Sequence, residues 1–373
     1  MHLGVNLIFL VPGETGGTET YARELVPQLL AQRPDLRLTF FVNRETGVSG
    51  TPWAELGTCV QVPVHARRRT EWVRGEQFLL PDLVRRSGCD LLHSLANTAP
   101  LRGSIPRVTT VHDLLHRGRA GAHAPAHSAF LRMLVPRVIA SSTRVIVPSR
   151  WTLAEMTALS RCDPARIDLV AQGPGSTAAT VPAPVADVRR ALRLDGRSVV
   201  LVVAPLQRHK NLPVTLEALA SIPPGPRPAL VLAGRPTPFG DTLRRRADAL
   251  DVADDVRFAG TVSGAELEAL YTLADCVVAP SPHEGFGFPP VEAMARGTPA
   301  ICADGGALPE VVGDAALLFP AASASALAAA IESVIGDPAE SERLRSAGRR
   351  RAGELSWADA ARKTLASYDA ALA

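Results

Sequence analysis

The sequence predicts an α/β protein made of two parallel-sheet domains. The 373 residues, 46% of them hydrophobic, exceed what one ordinary core organises. Short runs that are apolar throughout alternate with helical stretches, as strands buried on both faces do. The alternation breaks at a Gly/Pro/Ala/Thr-rich stretch centred on 173–186, read as a linker, and then restarts. Two such arrays imply two sheets, with ligand groups collecting beyond the carboxyl ends of the strands in a cleft.

Strands are expected at 3–11, 38–43, 89–94, 107–113 and 143–149 in the first half. In the second half they are expected at 198–204, 228–234, 255–260, 275–280 and 298–304. Helices fit 17–30, 75–87, 126–141 and 150–159, and Pro27 should kink or shorten the first of them. The alanine-rich end, 321–373, reads as a packed helical cap.

Composition removes several classes. The formal charge is +3, of which residues 1–185 carry +6, leaving −3 for the rest. The basic half favours a partner with phosphates or anionic lipid, and no Lys/Arg-rich tail points to nucleic acid. Cys59, Cys89, Cys162, Cys276 and Cys302 are odd in number and contain no CxxC pair, so neither a zinc site nor a disulfide framework is indicated. No apolar run reaches bilayer length. The N-terminal stretch lacks a basic n-region and reads as a first strand rather than a signal peptide. A cytoplasmic protein, with contact to the inner membrane face as an open option, is the expectation.

Certain stretches carry chemistry. In "PGETGGTETYARELV", Gly16 and Gly17 follow the first strand and open a helix, where backbone N–H groups can receive an anion. The same pair could equally be a tight turn. The stretch is not GxGxxG and no acid is placed for an NAD ribose, which disfavours a dehydrogenase. In "TTVHD", His112 and Asp113 end a strand, as ligand contacts or as a strand cap. His116, His123 and His127 give no metal geometry and read as loop residues. In "QRHKNLPVTLEAL", Arg208, His209 and Lys210 precede a helix beginning near Asn211, and Lys210 offers a mobile charge for a diphosphate. In "SPHEGFGFPPVEAMARG", Glu284 sits in a turn and Glu292 in the following helix, eight positions on. Glu292 could clasp neighbouring hydroxyls such as a ribose diol, and Glu284 could accept from sugar hydroxyls. Either glutamate alone would read as a loop or capping acid.

Together these stretches resemble the E-x7-E signature of retaining, nucleotide-sugar-dependent glycosyltransferases of GT-B architecture, glycosyltransferase family 4 (glycosyl transferases group 1). The likeness runs through "GGTETYARELV", "TTVHD", "VIVPS", "KNLPVTLEAL", "VLAG", "VRFAGTVSGAELEALY", "LPEVVGDAALLFP" and "LSWADAARKTLASYDAAL". It implies two Rossmann-like domains facing across a cleft: an acceptor domain at 1–180, a linker at 181–195, a donor domain at 196–355, and a terminal helix, 356–373, returning to the first domain. His112, Lys210 and Glu284 would be the catalytic set. Gly16–Gly17 and Lys210 would approach the donor diphosphate, and His112 the transferred sugar near its 6-position. Glu284 and the amides of Gly285, Phe286, Gly287 and Phe288 would read the sugar's 3- and 4-hydroxyls. Glu292 would bind ribose. Thr261 and Val262 would approach the base, with Glu266 on the same side.

The chain departs from the family at Ala204-Pro205, where many relatives place Gly-Arg. Arg208 or His209 would have to supply the missing cation. The implied reaction moves a hexosyl or deoxyhexosyl group, mannosyl-like by first preference, from a GDP, UDP or dTDP sugar to a hydroxyl. The acceptor is a glycan, a glycolipid precursor or a glycosylated natural product, and polysaccharide biosynthesis fits. No Asp-x-Asp motif occurs, so transfer without metal or other cofactor is expected. Arg67, Arg68 and Arg69 could meet an anionic acceptor, a lipid diphosphate or the membrane face, or form a solvated loop. Trp72 would be an interfacial anchor or buried. A phosphorylase, a nucleotide-sugar epimerase or a non-catalytic sugar-nucleotide binder are the competing readings.

Overall fold

In a computed structural model the chain forms two units, and the structure describes residues 1–114, 125–159, 162–175, 181–194, 196–225 and 227–373. The first unit is built from residues up to Gln172 together with Ser356–Ala373; the second contains Gly173–Leu355.

The first unit runs β1 (His2–Leu7), α1 (Gly17–Gln32), β2 (Arg37–Val42), α2 (Pro52–Leu56), β3 (Thr58–Gln61), α3 (Arg69–Arg74), a π-helical turn (Gly75–Leu79), α4 (Leu80–Arg86), β4 (Leu91–Ser94), β5 (Arg107–Thr110), α5 (Pro125–Ser141), β6 (Arg144–Val147), α6 (Arg150–Leu159) and β7 (Ile167–Leu169). Its strands form a parallel sheet in the order β3-β2-β1-β4-β5-β6-β7. All of β1 is buried, which is why it reads as an unbroken apolar run.

The expected first strand is too long. β1 stops at Leu7, because the Asn43 side chain takes over the carbonyls of Ile8 and Leu10 at 2.8 and 2.7 Å. Those residues are buried, but in a loop. Pro27 does not shorten α1, which continues to Gln32. Position 127 falls in α5 rather than a loop; His116 and His123 lie outside the described residues, as does part of the linker, 176–180.

The second unit runs α7 (Val185–Ala191), β8 (Val199–Val203), α8 (Pro213–Ser221), β9 (Ala229–Ala233), α9 (Phe239–Ala249), β10 (Val256–Gly260), α10 (Gly264–Leu273), β11 (Cys276–Ala279), α11 (Phe288–Ala295), β12 (Ala300–Ala303), α12 (Leu308–Val312), β13 (Ala316–Phe319), α13 (Ala324–Gly336) and α14 (Pro338–Gly353). Its sheet, again parallel, has the order β10-β9-β8-β11-β12-β13. α7 begins inside the stretch read as linker, and Val188 joins this unit's core.

The chain then returns to the first unit as α15 (Trp357–Leu372), which packs along α1. Its inner face buries Trp357, Ala360, Ala361, Leu365 and Tyr368. Arg33 on α1 forks onto Asp369 at 2.9 and 2.8 Å. Tyr368 Oη and His93 Nδ1 lie 2.7 Å apart, and His93 Nε2 and Thr110 Oγ1 2.9 Å apart. Burial pushes the His93 imidazole down to about 3, so it is neutral at pH 7 and a strong positive charge is kept out of the core.

Strand order reverses between β1 and β4 in the first unit, and between β8 and β11 in the second. Such switch points are where open α/β sheets present ligand groups.

Candidate active site

At the second unit's switch point, one flanking strand leads to Lys210 and the other to Glu284. Lys210 closes a one-turn 3-10 helix, Arg208–Lys210, after β8. The helix expected near Asn211 starts two residues later, because Asn211 has φ 55°, a left-handed conformation that asparagine tolerates better than most residues. Its amide donates to Pro280 O at 3.1 Å and Ala321 O at 2.8 Å. One side chain thereby ties the loops after β8, β11 and β13 together and fixes where Lys210 projects. Lys210 Nζ donates to Glu284 Oε1 at 2.8 Å, with the two side chains 19% and 21% exposed.

The Glu284 turn is shaped by glycines. Gly287 has φ 101°, and a Cβ there would lie 2.5 Å from Leu308. Across from the turn, Gly305 and Gly306 come so close that a Cβ would lie 2.6 Å from Pro282 O and 2.7 Å from Glu284 N. Ala307 N donates to Glu284 O at 2.9 Å. Phe286 and Phe288 pack edge to face at 5.6 Å. α11 starts at Phe288 with Pro289 and Pro290 in its first turn. Prolines have no N–H, so the donors at this helix end belong to the residues around them.

Glu292 lies one turn into α11, half-buried. Tyr271 Oη donates to its Oε2 at 2.5 Å. Burial raises its carboxyl pKa; the Tyr271 bond, Arg296 and a Gly175 amide bond pull it back down, while Glu268 pushes up. Thr261 and Val262 follow β10 directly. Glu266, expected on the base side, is engaged with Ser263. Ser263 N and Oγ both donate to its Oε2 at 2.7 Å, and its own N–H returns to Ser263 Oγ at 3.2 Å. This is a capping box that starts α10, written in the sequence as S-x-x-E.

Arg208, one of the two candidates for the cation absent at Pro205, sets its guanidinium 5.0 Å over the Phe239 ring. A Cβ at Gly234 would meet Ala204 O at 2.0 Å, so the ends of β8 and β9 are in backbone contact.

In the first unit, Gly16 is the N-cap of α1 with φ 63°, the left-handed region that favours glycine. The turn before it is fastened by side chains. Val11 N donates to Thr15 Oγ1 at 2.8 Å, and Gly13 N to Glu19 Oε2 at 2.8 Å. His112 follows β5. Its N–H donates to Asn97 Oδ1 at 2.7 Å, and its Nε2 lies 2.8 Å from Leu95 O. A carbonyl only accepts, so Nε2 carries the proton and Nδ1 is an acceptor. Gln172 Nε2 donates to that Nδ1 at 3.2 Å. Burial lowers the His112 pKa against the opposing pull of the Leu95 bond and Asp113. Tyr21 meets the ring edge-on at 4.8 Å.

The basic loop is less free than its sequence suggests. Arg67 pairs with Glu14, beside the glycine turn, and Arg68 pairs with Glu71 at 2.8 Å. Arg69 opens α3. Trp72 is partly buried against the cluster of Val62, Val64 and Leu80. Sequence reasoning missed Asn211, Gly305–Gly306, Tyr271 and Gln172. The adjacent glycines were the one local signal; the other residues act on partners far along the chain.

Among the described residues no group of three or more His, Cys, Asp or Glu side chains is placed to hold a metal ion. No helix among them is long and apolar enough to cross a membrane.

Two Rossmann-like parallel-sheet units, with a terminal helix returning to the first, define the GT-B architecture. Residues 15–173 match the family model "Glycosyltransferase Family 4" and residues 186–351 match "Glycosyl transferases group 1". The D-inositol 3-phosphate glycosyltransferase of Jonesia denitrificans is 31% identical over 287 residues, 72% of this chain and 67% of that protein. The MMP alpha-(1->4)-mannosyltransferase of Mycolicibacterium hassiacum is 40% identical over 148 residues, 39% of this chain and 36% of that protein. Among solved structures, sucrose-phosphate synthase from Thermosynechococcus elongatus superposes with a TM-score of 0.81 at 23% identity, covering 99% of this chain and 98% of that one. The chain belongs to glycosyltransferase family 4, a family of nucleotide-sugar-dependent transferases.

Proposed function

We propose that the protein transfers a hexosyl or deoxyhexosyl group from a nucleoside-diphosphate sugar to an acceptor hydroxyl, with retention of anomeric configuration and without metal. The observation that carries this reading is the Lys210–Glu284 pair, joined at 2.8 Å from the two strands flanking the second switch point. An ammonium has three donors. One spent on Glu284 leaves two for phosphoryl oxygens, so a single arrangement presents a cation to the diphosphate and a carboxylate to sugar hydroxyls.

In the reaction, the bond from the anomeric carbon to the diphosphate oxygen breaks, and a bond to the acceptor oxygen forms on the same face. The acceptor's proton passes to the departing phosphate. Charge grows on the diphosphate in the transition state, where Lys210 and the α11 end stabilise it. Glu284 and the amides of Gly285–Phe288 hold the sugar, and Glu292 holds the ribose. In the first unit, the family resemblance assigns Gly16–Gly17 to the diphosphate and His112 to the transferred sugar. With Nε2 donating to Leu95, the atom of His112 open to exchange is Nδ1, where a sugar hydroxyl would take the place of the Gln172 amide. Thr261 and Val262 stand at the base. The relative named as a mannosyltransferase supports a mannosyl-like donor group, and the relatives named for inositol 3-phosphate support an acceptor carrying phosphate. Arg67–Arg69 are the cations for such an acceptor or for an anionic lipid surface.

The test is calorimetry against UDP-, GDP- and dTDP-sugars, followed by transfer assays on the donor that binds, with and without EDTA. Binding of one donor class and transfer unaffected by chelation are expected. No donor binding refutes the assignment. Binding without turnover on any acceptor points to a binding protein, and a requirement for inorganic phosphate points to a phosphorylase. Activity lost to EDTA and restored only by a divalent ion removes the metal-free mechanism.

A further inference from the structure

Glu292 belongs to a four-residue cluster. α10 supplies Glu268 and Tyr271, and α11 with its C-cap supplies Glu292 and Arg296; each pair sits one turn apart, on a shared face. Tyr271 is fully buried and Glu268 nearly so. Tyr271 Oη donates to Glu292 Oε2 at 2.5 Å. The Arg296 guanidinium lies 5.0 Å over the Tyr271 ring. It donates Nε to Glu268 Oε2 at 2.7 Å, Nη2 to the other Glu268 oxygen, and Nη1 to the Glu292 carbonyl at 2.8 Å. Thr298 Oγ1 holds the Tyr271 carbonyl at 2.8 Å. The phenol is thus fixed at its ring, its backbone and its hydroxyl.

Packing alone does not call for this arrangement. Apolar residues would fill the same space without the desolvation cost of buried charge, and a buried ion pair adds little net stability. The cluster does, however, control one carboxylate. Burial and Glu268 favour a protonated Glu292; Tyr271, Arg296 and Gly175 favour the ionised form. Burial and the Glu292 charge keep the phenol protonated, so Tyr271 is a donor throughout. The other groups brought against α11 lie elsewhere or do not titrate near neutrality. α14 sends Arg345 and Arg349 to Gly297, past the helix's far end. Burial holds the thiols of Cys276 on β11 and Cys302 on β12 protonated. Glu310 on α12 gives its carbonyl to Arg351.

We propose that Tyr271 is a positioning residue for nucleoside binding: its phenol donates to one oxygen of Glu292 and aims the remaining carboxylate lone pairs at two neighbouring hydroxyls, while the Arg296–Glu268 pair fixes the phenol from behind. This rests on the reading of Glu292 as the ribose clasp. A ribose diol has two donors, and the ionised carboxylate, which only accepts, meets both without presenting a competing O–H.

The sign for Tyr271→Phe follows. The substitution removes a bond that favours the charged form, so Glu292 keeps its proton to higher pH. On acidification, nucleotide binding is then lost at higher pH than in the parent, and it recovers as pH rises.

The experiment titrates the full chain, Tyr271→Phe and Glu292→Gln with UDP and GDP and their 2′-deoxy forms, between about pH 6 and 9. For the nucleotide that binds, Tyr271→Phe is expected to weaken the ribo form about tenfold at neutral pH. The loss should shrink toward pH 9, and the preference for ribo over 2′-deoxy should narrow. Turnover at saturating donor should stay within a few-fold of the parent, as for loss of uniform binding. Parent-like affinity and pH profile in Tyr271→Phe, beside a weakened Glu292→Gln, would overturn the proposal. A uniform loss at every pH, equal for ribo and deoxy ligands, would also overturn it, because that is plain structural damage. A Glu292→Gln variant that binds like the parent brings down the ribose assignment itself, a distinguishable result. If Tyr271→Phe does not fold, Arg296→Lys keeps a cation but cannot fork onto Glu268; undiminished ribo-over-deoxy preference in that variant counts against the proposal.

Discussion

The two switch points share a topology and differ in chemistry. In the second unit a cation and a carboxylate meet at 2.8 Å, both about four-fifths buried. In the first, the candidate ligand groups form no such pair: a backbone turn led by Gly16, and an imidazole whose ring nitrogens are engaged by Leu95 and Gln172. The same parallel-sheet edge can therefore be fitted either to ionic or to neutral polar ligand groups, and residues in the loops decide which. A charged pair is the costlier choice, since desolvation offsets much of its attraction. Its presence at one switch point fits a ligand that carries its own strong charge. The first point, with backbone N–H groups and an imidazole, suits an oxygen anion at the turn and a hydroxyl at the ring.

The sharpest way to break this comparison is to remove the cation. Lys210→Ala should lower turnover about 10²–10³-fold, the scale of losing one preorganised charge-stabilising group. It also strands Glu284, so its effects should not add to those of Glu284→Gln. The double variant Lys210→Met/Glu284→Gln should be at least as stable to heat as Lys210→Met alone, because no lone buried carboxylate remains. Additive melting shifts would mean that the pair is not coupled in solution. Turnover within a few-fold of the parent in Lys210→Ala would remove it from the reaction.

Much of this site was legible locally. The E-x7-E turn, the Gly16–Gly17 pair and Lys210 all fall in the segments that follow central strands, and the central strands announce themselves as apolar because neither face meets water. The strands that went unseen are β3, β7 and β13, and each is a sheet edge. Their residues are largely half-exposed or exposed, as in "TCVQ" and "IDL", and a three- or four-residue edge strand shows no period to read. The side-chain partnerships were hidden for a different reason. Tyr271 precedes Glu292 by 21 positions and Glu14 precedes Arg67 by 53. Nothing local in a helix or loop states which distant carboxylate it will meet. Gln172 and Asn211 act in the same way, through loops brought together only by the sheet.

A finer test divides the two glutamates within the charged switch point. Glu284→Gln keeps size but replaces an acceptor oxygen with a donor amide and weakens the hold on Lys210. It should cost turnover heavily while free nucleoside diphosphate still binds, since that ligand has no sugar to hold. Glu292→Gln should weaken sugar nucleotide and free nucleotide together, by roughly ten- to a hundredfold, the worth of a charged hydrogen bond. Because Glu284 also anchors Lys210, some loss of free nucleotide in Glu284→Gln is expected, but it should be smaller than in Glu292→Gln. Equal losses of free nucleotide in the two variants would erase the division of labour between sugar and ribose.

The smallest effect belongs to the first unit's basic loop, where the comparison can be sharpened rather than broken. Arg67 and Arg68 are exposed and already paired with Glu14 and Glu71. An anionic acceptor must compete with those carboxylates, and exposed ion pairs are worth only about 0–1 kcal/mol. Neutralising Arg67, Arg68 and Arg69 together should therefore raise acceptor KM only a few-fold, leave donor affinity unchanged, and lose its effect as salt screens the charges. The opposite change is more telling. Glu14→Gln releases Arg67 without adding a charge, so an anionic acceptor should bind more tightly at low salt and a neutral one should not respond. Acceptor kinetics measured across a salt series for both variants decide the matter. If Glu14→Gln and the triple variant both match the parent at every salt concentration, the triplet is a solvated loop that fastens the glycine turn and takes no part in acceptor binding.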